Sequence, residues 1–429
     1  MAFGQHLISF LKLGWFNRSR MNAYAIIVLI AALPTSVWVF LQALGTDGSD
    51  FLAFWSAGRL IVAGAVNSVY SVKANLAVQA TLARSDVIAF VSPPPMLLLV
   101  APLGLLSFPV AWLVWVGATF AFWLALSRRF APELTWPSAA FPGALIAVWH
   151  AQTGLLTSGF QAGFATWLQR RPLLAGICVG GLVIKPHLAL LIPLALVAGR
   201  HWRAFVGAAL SVFGLLLLSW LVFGTTAILN YRQSWPVSRY LMETGDAVFF
   251  LRQVTVYAAV RVAWSPLAAA LCQAIATILV AALTWKAWAG RGSIEGKLAL
   301  LLSATPLATP YLFSYDLPFL IIPVCWLAQR SALRPGAWDR PLLLFFYLSP
   351  LLARALALPL GANLSPWIGF WMLWVVWQRL REEIAEAHRG DPGSLQQPGP
   401  PLSAAAVRQT PEHRGHAGSA RASGVQTRR

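Results

Sequence analysis

Long uncharged runs alternate with short clusters of arginine along most of this chain, and that alternation constrains its fold more than any other feature. From Met21 to Thr46 there is no charged residue. About 20 apolar residues suffice to cross a bilayer as a helix, and lipid tolerates only helices or closed barrels as spanning structures. Of the residues, 58% are hydrophobic and 11% charged, against about 25% charged in soluble domains, which excludes a soluble fold. The chain reads as an all-α, polytopic membrane protein with about 12 transmembrane helices. The spans are 23–43, 108–127, 137–149, 154–168, 173–184, 188–198, 204–223, 264–288, 298–309, 313–327, 341–358 and 366–377.

The net charge of +18 raises nucleic acid as a partner, but the arginines fall in clusters between apolar segments, as the positive-inside rule requires, so the partner is the lipid bilayer and not nucleic acid. Arg18/Arg20, Arg128/Arg129, Arg170/Arg171, Arg200/Arg203, Lys286/Arg291/Lys297, Arg330/Arg334/Arg340 and Arg379/Arg381 all fall on one side, which is then the cytoplasm. This works only if the proline-bounded apolar segment 92–109 does not cross. Such a segment is re-entrant or interfacial, and its backbone survives at membrane depth only under protein cover or in a wet cavity. The first outer loop is then 45–109 and the largest is 224–263, within a single membrane domain, 1–381. Residues 382–429 turn polar and rich in Pro, Gly, Ser and Arg, the composition of a disordered cytoplasmic tail. Phe3, Leu7, Ile8, Leu11 and Trp15 share a helical face suited to the membrane surface. Cys178, Cys272 and Cys325 lie in apolar runs without metal or disulfide spacing and read as inert buried thiols.

Acidic residues are scarce, which makes those just outside the first span conspicuous. Asp50 is either a carboxylate placed to accept a proton at the membrane edge or the N-cap of a helix beginning at Phe51. Asp47 precedes Gly48, a turn dipeptide. Lys185 lies between two apolar segments, where a lone cation is costly unless it pairs or reaches water. It reads as a clamp for an anionic group such as phosphate or as a snorkelling lysine. His187 beside it is structural or donates to the same anion. His150 and Gln152, in a short outer turn, suit sugar hydroxyls or helix ends. Tyr311 and Tyr315 read as interfacial aromatics, and Asp316 as a cap. Arg232, Arg239, Arg252 and Arg261 lie on the outer side, against the charge bias, as ligands for an anion or lipid headgroup or as a solvated face.

Four segments carry a family resemblance: "DFLAFWSAGRLIVAGAVNSVY" from Asp50, "SPPPMLLLVAPLGLL" from Ser92, "GLVIKPHLALLIPLALVAGRHWRA" from Gly181 and "ATPYLFSYDLPFLIIP" from Ala308. Together and in this order they resemble glycosyltransferase family 87, bacterial membrane enzymes of the C-type fold that use a polyprenyl-phosphate sugar. The resemblance implies a C-type fold with amphipathic helices in the first outer loop. It implies a plasma-membrane enzyme that moves a hexose, mannose by analogy, from a polyprenyl-phosphate donor to the hydroxyl of a glycolipid or glycan acceptor on the outer face. Asp50 would be the catalytic base, and Lys185 would belong to the donor-phosphate region. Gln152, His187, Tyr311, Tyr315, Asp316 and Arg252 are the remaining candidate substrate contacts. A lone carboxylate suits one inverting displacement. No motif calls for a metal or cofactor, although Asp47 and Asp50 could share a divalent ion, as in some members of the wider fold. Two departures stand out: Ala151-Gln152-Thr153 where the family often has Gly-Gln-Asn, and Ser314 where a polar or acidic residue is common. A transporter or flippase of lipid-linked sugars would use the same cations and apolar groove, though the internal repeats common in transporters are missing. A non-catalytic envelope subunit is the third alternative.

Overall fold

The computed structural model of the chain describes residues 12–13, 17–45, 49–82 and 88–390. Two compact units divide it, Met1–Ile384 and Ala385–Arg429. The described residues are helical throughout and contain no β-strand. Asp47, and Phe3, Leu7, Ile8, Leu11 and Trp15 of the expected surface helix, lie outside them.

Among the described residues, five helices are long and apolar enough to cross a membrane: Arg18–Leu44, Phe108–Phe130, Trp202–Thr244, Pro266–Ala289 and Asp339–Leu360. Their ends follow the local chemistry. Asn17 caps the first by accepting from the Arg20 amide at 3.0 Å, and Gly45 follows its last turn. Ser265 caps Pro266–Ala289, with proline in the first turn and Gly290 after the last, the usual arrangement for a helix that must start and stop sharply.

Several other expected spans are helical but short. Pro142–His150 has 9 residues, Pro172–Gly181 has 10 and Ile192–Ala198 has 7. At 1.5 Å per residue these reach only about 10–15 Å, half a hydrocarbon core or less. Proline is the cause: it opens the first two helices and sits just inside the third, and it cannot donate to the preceding turn. The cut ends stay inside protein. Ile294–Ala308 is buried from Gly296 to Ala308 and forms the centre of the main apolar cluster. The Arg18–Leu44 helix buries only Ala25 and Ala43, leaving an apolar surface for lipid.

Several expectations need correction. Residues 224–263 are not an open loop. The helix bends at Gly224 (φ 80°), which has the positive φ that glycine adopts without cost, and continues as the short helices Ser234–Thr244, Ala247–Leu251 and Val256–Arg261. The last helix runs Ser365–Gly390, past residue 382 where the expected tail begins. Cys272 is exposed on an outward helix face, unlike Cys178 and Cys325. The first outer-loop helix, Phe51–Val62, is packed inside the protein: nine of its 12 residues are buried.

That burial fixes the start of the helix. Gly58 and Gly104 meet backbone to backbone, and a Cβ on Gly104 would fall 2.2 Å from Gly58 C. Gly104 belongs to the short helix Pro102–Leu105, which follows the short helix Pro95–Val100, so segment 92–109 carries two short helices packed against the first outer-loop helix. Ser56, Asn75 and Gln79 form a buried polar network: Ser56 Oγ donates to Asn75 Oδ1 at 2.7 Å, and Gln79 Nε2 donates to Ser56 Oγ at 3.0 Å and to the Ile88 carbonyl at 2.9 Å.

The arginine-rich ends also meet. Arg18 donates to the Glu133 carbonyl at 3.3 Å, Gln329 Nε2 donates to Glu133 Oε1 at 2.8 Å, and Arg379 pairs with Asp339. Gly104→Ala should therefore lower the melting temperature of the detergent-purified protein by several degrees, since an overpacked contact costs about 1–3 kcal/mol. Gly117→Ala, at a helix position with open space around it, should leave melting unchanged or raise it slightly.

Candidate active site

The apolar cluster around Phe51, Leu52, Phe54 and Trp55 also takes in Ala151 and Ile184. Their chain neighbours Asp50, Gln152 and Lys185 are thereby carried to one place. Asp50 stands at the N-cap position of its helix, but its backbone is helical and its side chain makes no capping bond. Ser49 Oγ does that work instead, accepting from the Phe51 amide at 3.3 Å. The carboxylate is left facing the Gln152 side chain, which hydrogen-bonds to it, and the cations Lys185, Arg252 and Arg354.

Lys185 closes the gap between two short 3-10 helices. It forms the C-cap of Leu182–Ile184 and precedes Pro186. Its Nζ donates to Asp316 Oδ1 at 2.6 Å and lies 5.2 Å from the centre of the Tyr315 ring. Asp316 is only 1% exposed, and its other oxygen accepts from the Phe313 amide at 3.4 Å. The cap expected of Asp316 is thus made, with an ion pair added. Arg252 is held nearby by backbone pairing: Val254 N donates to Leu312 O at 2.9 Å and Ser314 N donates to Arg252 O at 3.4 Å.

Aromatic rings line the same segment. Phe313 and Tyr315 stack at 5.1 Å, and His150 lies 5.3 Å from Tyr315. Tyr311 meets His187 edge to face at 6.1 Å, and His187 Nε2 is buried without a hydrogen-bond partner. The structure therefore brings together Asp50, Gln152, Lys185, His187, Arg252, Tyr311, Tyr315 and Asp316. It leaves Arg239 and Arg261 elsewhere: Arg239 pairs with Glu243 at 2.7 Å and Arg261 donates to the Glu243 carbonyl at 3.1 Å.

Arg354 was not anticipated. It lies within the expected span 341–358, and a cation inside an apolar span is itself a signal of function. Arg354 donates to Ser314 Oγ at 2.9 Å, which gives the departure at position 314 a structural partner. The centre then has three cations, Lys185, Arg252 and Arg354, against two carboxylates, Asp50 and Asp316.

Burial raises the Asp50 carboxyl above the usual carboxylate range. The Gln152 hydrogen bond pulls it back, followed by the charges of Lys185, Arg252 and Arg354. Burial, then Arg354 and Arg252, lowers His150 to about 4, so its imidazole is neutral near pH 7. Burial, then Asp316 and Asp50, raises Tyr311, which stays a phenol. Among the described residues no group of three or more His, Cys, Asp or Glu side chains could hold a metal ion.

These residues define an electropositive centre with one partly accessible carboxylate, set among short helices between membrane spans. The family model for glycosyltransferase family 87 matches residues 90–310, just over half of the chain. The chain belongs to glycosyltransferase family 87. Membership implies a membrane glycosyltransferase, as the resemblance in the four segments suggested. The match takes in Gln152, Lys185, His187 and Arg252, and stops short of Asp50, Tyr311, Tyr315, Asp316 and Arg354. No curated protein and no solved structure matches the chain.

Two backbone features hold Gln152 in place. Ala151 adopts φ 47°, ψ 34°, a left-handed conformation that costs a non-glycine residue roughly 1–2 kcal/mol. Gly154 packs so closely that a Cβ there would lie 1.8 Å from the Tyr315 carbonyl oxygen. Ala151→Gly should accordingly stabilise the protein by about 1 kcal/mol, seen as a higher melting temperature. Lys185→Met should destabilise it by about 3 kcal/mol or more, because Asp316 is left as an unpaired buried charge. Lys185→Met/Asp316→Asn should recover most of that loss. A single Lys185 variant that melts like wild type would show that the pair does not hold the site together.

Proposed function

We propose that the chain transfers a hexose from a polyprenyl-phosphate donor to an acceptor hydroxyl on the outer face of the membrane, with Asp50 as general base. The observation that carries this reading is the pairing of one partly accessible, uncapped carboxylate with an excess of positive charge. A base must meet the acceptor proton, and a departing phosphate needs cations.

Asp50 takes the proton from the acceptor O–H, and the acceptor oxygen attacks the anomeric carbon. The bond between that carbon and the phosphate oxygen breaks, and its electron pair leaves with the phosphate. Polyprenyl phosphate departs carrying one more negative charge than it had in the donor. A single displacement of this kind inverts the anomeric configuration.

Several features support Asp50 in this role. Its raised pKa makes it a stronger base than an exposed carboxylate, and the Gln152 hydrogen bond and the charges of Lys185, Arg252 and Arg354 oppose that rise. Neutral His150 and protonated Tyr311 are suited to hydrogen bonding with sugar hydroxyls. The arginine clusters at the opposite ends of the helices support an outward-facing site by the positive-inside rule.

Asp50→Asn should reduce transfer from a polyprenyl-phosphate hexose by about 10²–10⁴-fold, with expression and melting temperature retained. Full activity in that variant removes Asp50 as the base. The base works only when ionised, so kcat/KM should fall as pH drops through the Asp50 pKa. That acid limb should lie above the ordinary carboxylate value of about 4. Arg252→Gln removes a cation that favours the ionised form, so it should move the limb to still higher pH.

A further inference from the structure

The arginine-rich helix ends, remote from Asp50, fall into two sectors. In the first, the cations are matched by carboxylates. Arg379 pairs with Asp339 and donates to Glu382 at 3.1 Å. Arg330 lies 3.9 Å from Glu383, which also accepts from the Ser293 amide at 2.8 Å. The second sector has no such matching. Between Asp86 and Glu243 the chain carries a single acidic residue, Glu133, and Gln329 donates to its carboxylate at 2.8 Å. Arg128, Arg129, Arg170, Arg171, Arg200 and Arg203 lie in that stretch and are all exposed. Among the described residues none of the six forms an ion pair with a carboxylate.

Helix packing gathers these cations on one stretch of surface. Thr166 Oγ1 donates to the Leu126 carbonyl at 3.4 Å, and the Arg129 guanidinium lies 5.9 Å from the centre of the Trp167 ring. The ends that carry Arg128, Arg129, Arg170 and Arg171 are thereby neighbours. A Cβ on Gly207 would fall 2.6 Å from the Leu173 carbonyl oxygen, and one on Gly176 would fall 2.1 Å from the Ala204 carbonyl oxygen. Glycine allows that approach, and it brings Arg203 beside the turn at Arg171. Leu173, Trp202, Val206 and Leu210 are exposed next to the cations. Unpaired arginines beside exposed apolar side chains, with tryptophan among them, are the composition of a helix end at headgroup level.

We propose that this second sector is a selective docking surface for anionic phospholipids, with headgroup phosphates on the six arginines and acyl chains against Leu173, Val206 and Leu210. Guanidinium groups present paired, planar donors that suit phosphate, and clustered cations at a helix end are drawn to an anionic leaflet. A lipid satisfies the charges and the apolar side chains together, which an acidic peptide or a nucleic acid does not. The ion-paired sector offers no surplus charge and does not select. The bilayer is therefore held asymmetrically around the protein, anionic lipid on one flank. This inference rests on the placement of charge and is independent of the transfer reading.

The test uses the full-length protein in phosphatidylcholine vesicles that carry a trace of spin-labelled phosphatidylglycerol or spin-labelled phosphatidylcholine. The immobilised fraction of each label reports lipid at the protein surface. Wild type should prefer phosphatidylglycerol by about threefold or more, and the preference should shrink at high salt. Arg128→Gln/Arg170→Gln/Arg203→Gln should lose most of it, and the corresponding triple lysine variant should keep most of it. Lys73→Gln/Arg232→Gln/Arg239→Gln removes three exposed cations from other parts of the chain and should keep the preference. All the substituted side chains are exposed, so every form should melt like wild type in detergent. Equal immobilisation of the two labels by wild type overturns the proposal. So does an undiminished preference in the glutamine variant at 128, 170 and 203, or an equal loss in the control variant. An acidic peptide that binds wild type but not that glutamine variant, with no discrimination between the lipids, assigns the surface to a protein partner and overturns the proposal too.

Discussion

The pairing of Lys185 with Asp316 at 2.6 Å is the interaction on which the site depends. It joins residues 131 positions apart in sequence, each on a short 3-10 segment that has no long helix to brace it. Asp316, 1% exposed, is costly to leave charged alone, and Lys185 offsets that cost. Once Asp316 is fixed, the run from Tyr311 to Asp316 is fixed with it, because Asp316 also accepts from the Phe313 amide. Ser314 is thereby placed to receive Arg354, and Tyr315 to lie under Lys185 and beside His150.

The broken helices around this pair have a common physical origin. Proline opens or interrupts the segments that approach the site, so their backbones stop short within the protein. Such ends expose unpaired amides and carbonyls, and those are tolerated at membrane depth only where protein or a cavity satisfies them. The same requirement that makes the ends costly makes them useful, since it collects polar groups where a polar headgroup can meet an apolar chain. Ala151 in a left-handed conformation and Gly154 against Tyr315 are local strain and local closeness serving that assembly.

Electrostatics divide the labour among the charges. Lys185 and Asp316 neutralise each other and act on geometry. Asp50 has no such dedicated partner and feels three cations at once. Arg252 and Arg354 border a cavity with apolar walls. A lone carboxylate beside surplus positive charge is suited to moving a proton while a phosphate accepts an electron pair.

Much of this was legible beforehand, and the parts that were not have identifiable causes. Residue chemistry marked Asp50, Lys185, Arg252 and Asp316, because charges are rare in this chain and each stood beside an apolar segment. Arg354 escaped because it was absorbed into an expected span, where hydropathy averaged over a window hides a single cation. Residues 224–263 read as a loop in sequence because their helices are short and mixed in composition. The depth at which Phe51–Val62 is buried could not be read locally, because it follows from the close contact of Gly58 with Gly104. Sequence alone determined the solvent: long uncharged runs cannot be hidden in water, so the chain had to be a helical membrane protein. Tertiary structure alone decided which charges face each other, because pairing across 131 residues depends on where broken helices end in space, and no local pattern encodes that distance.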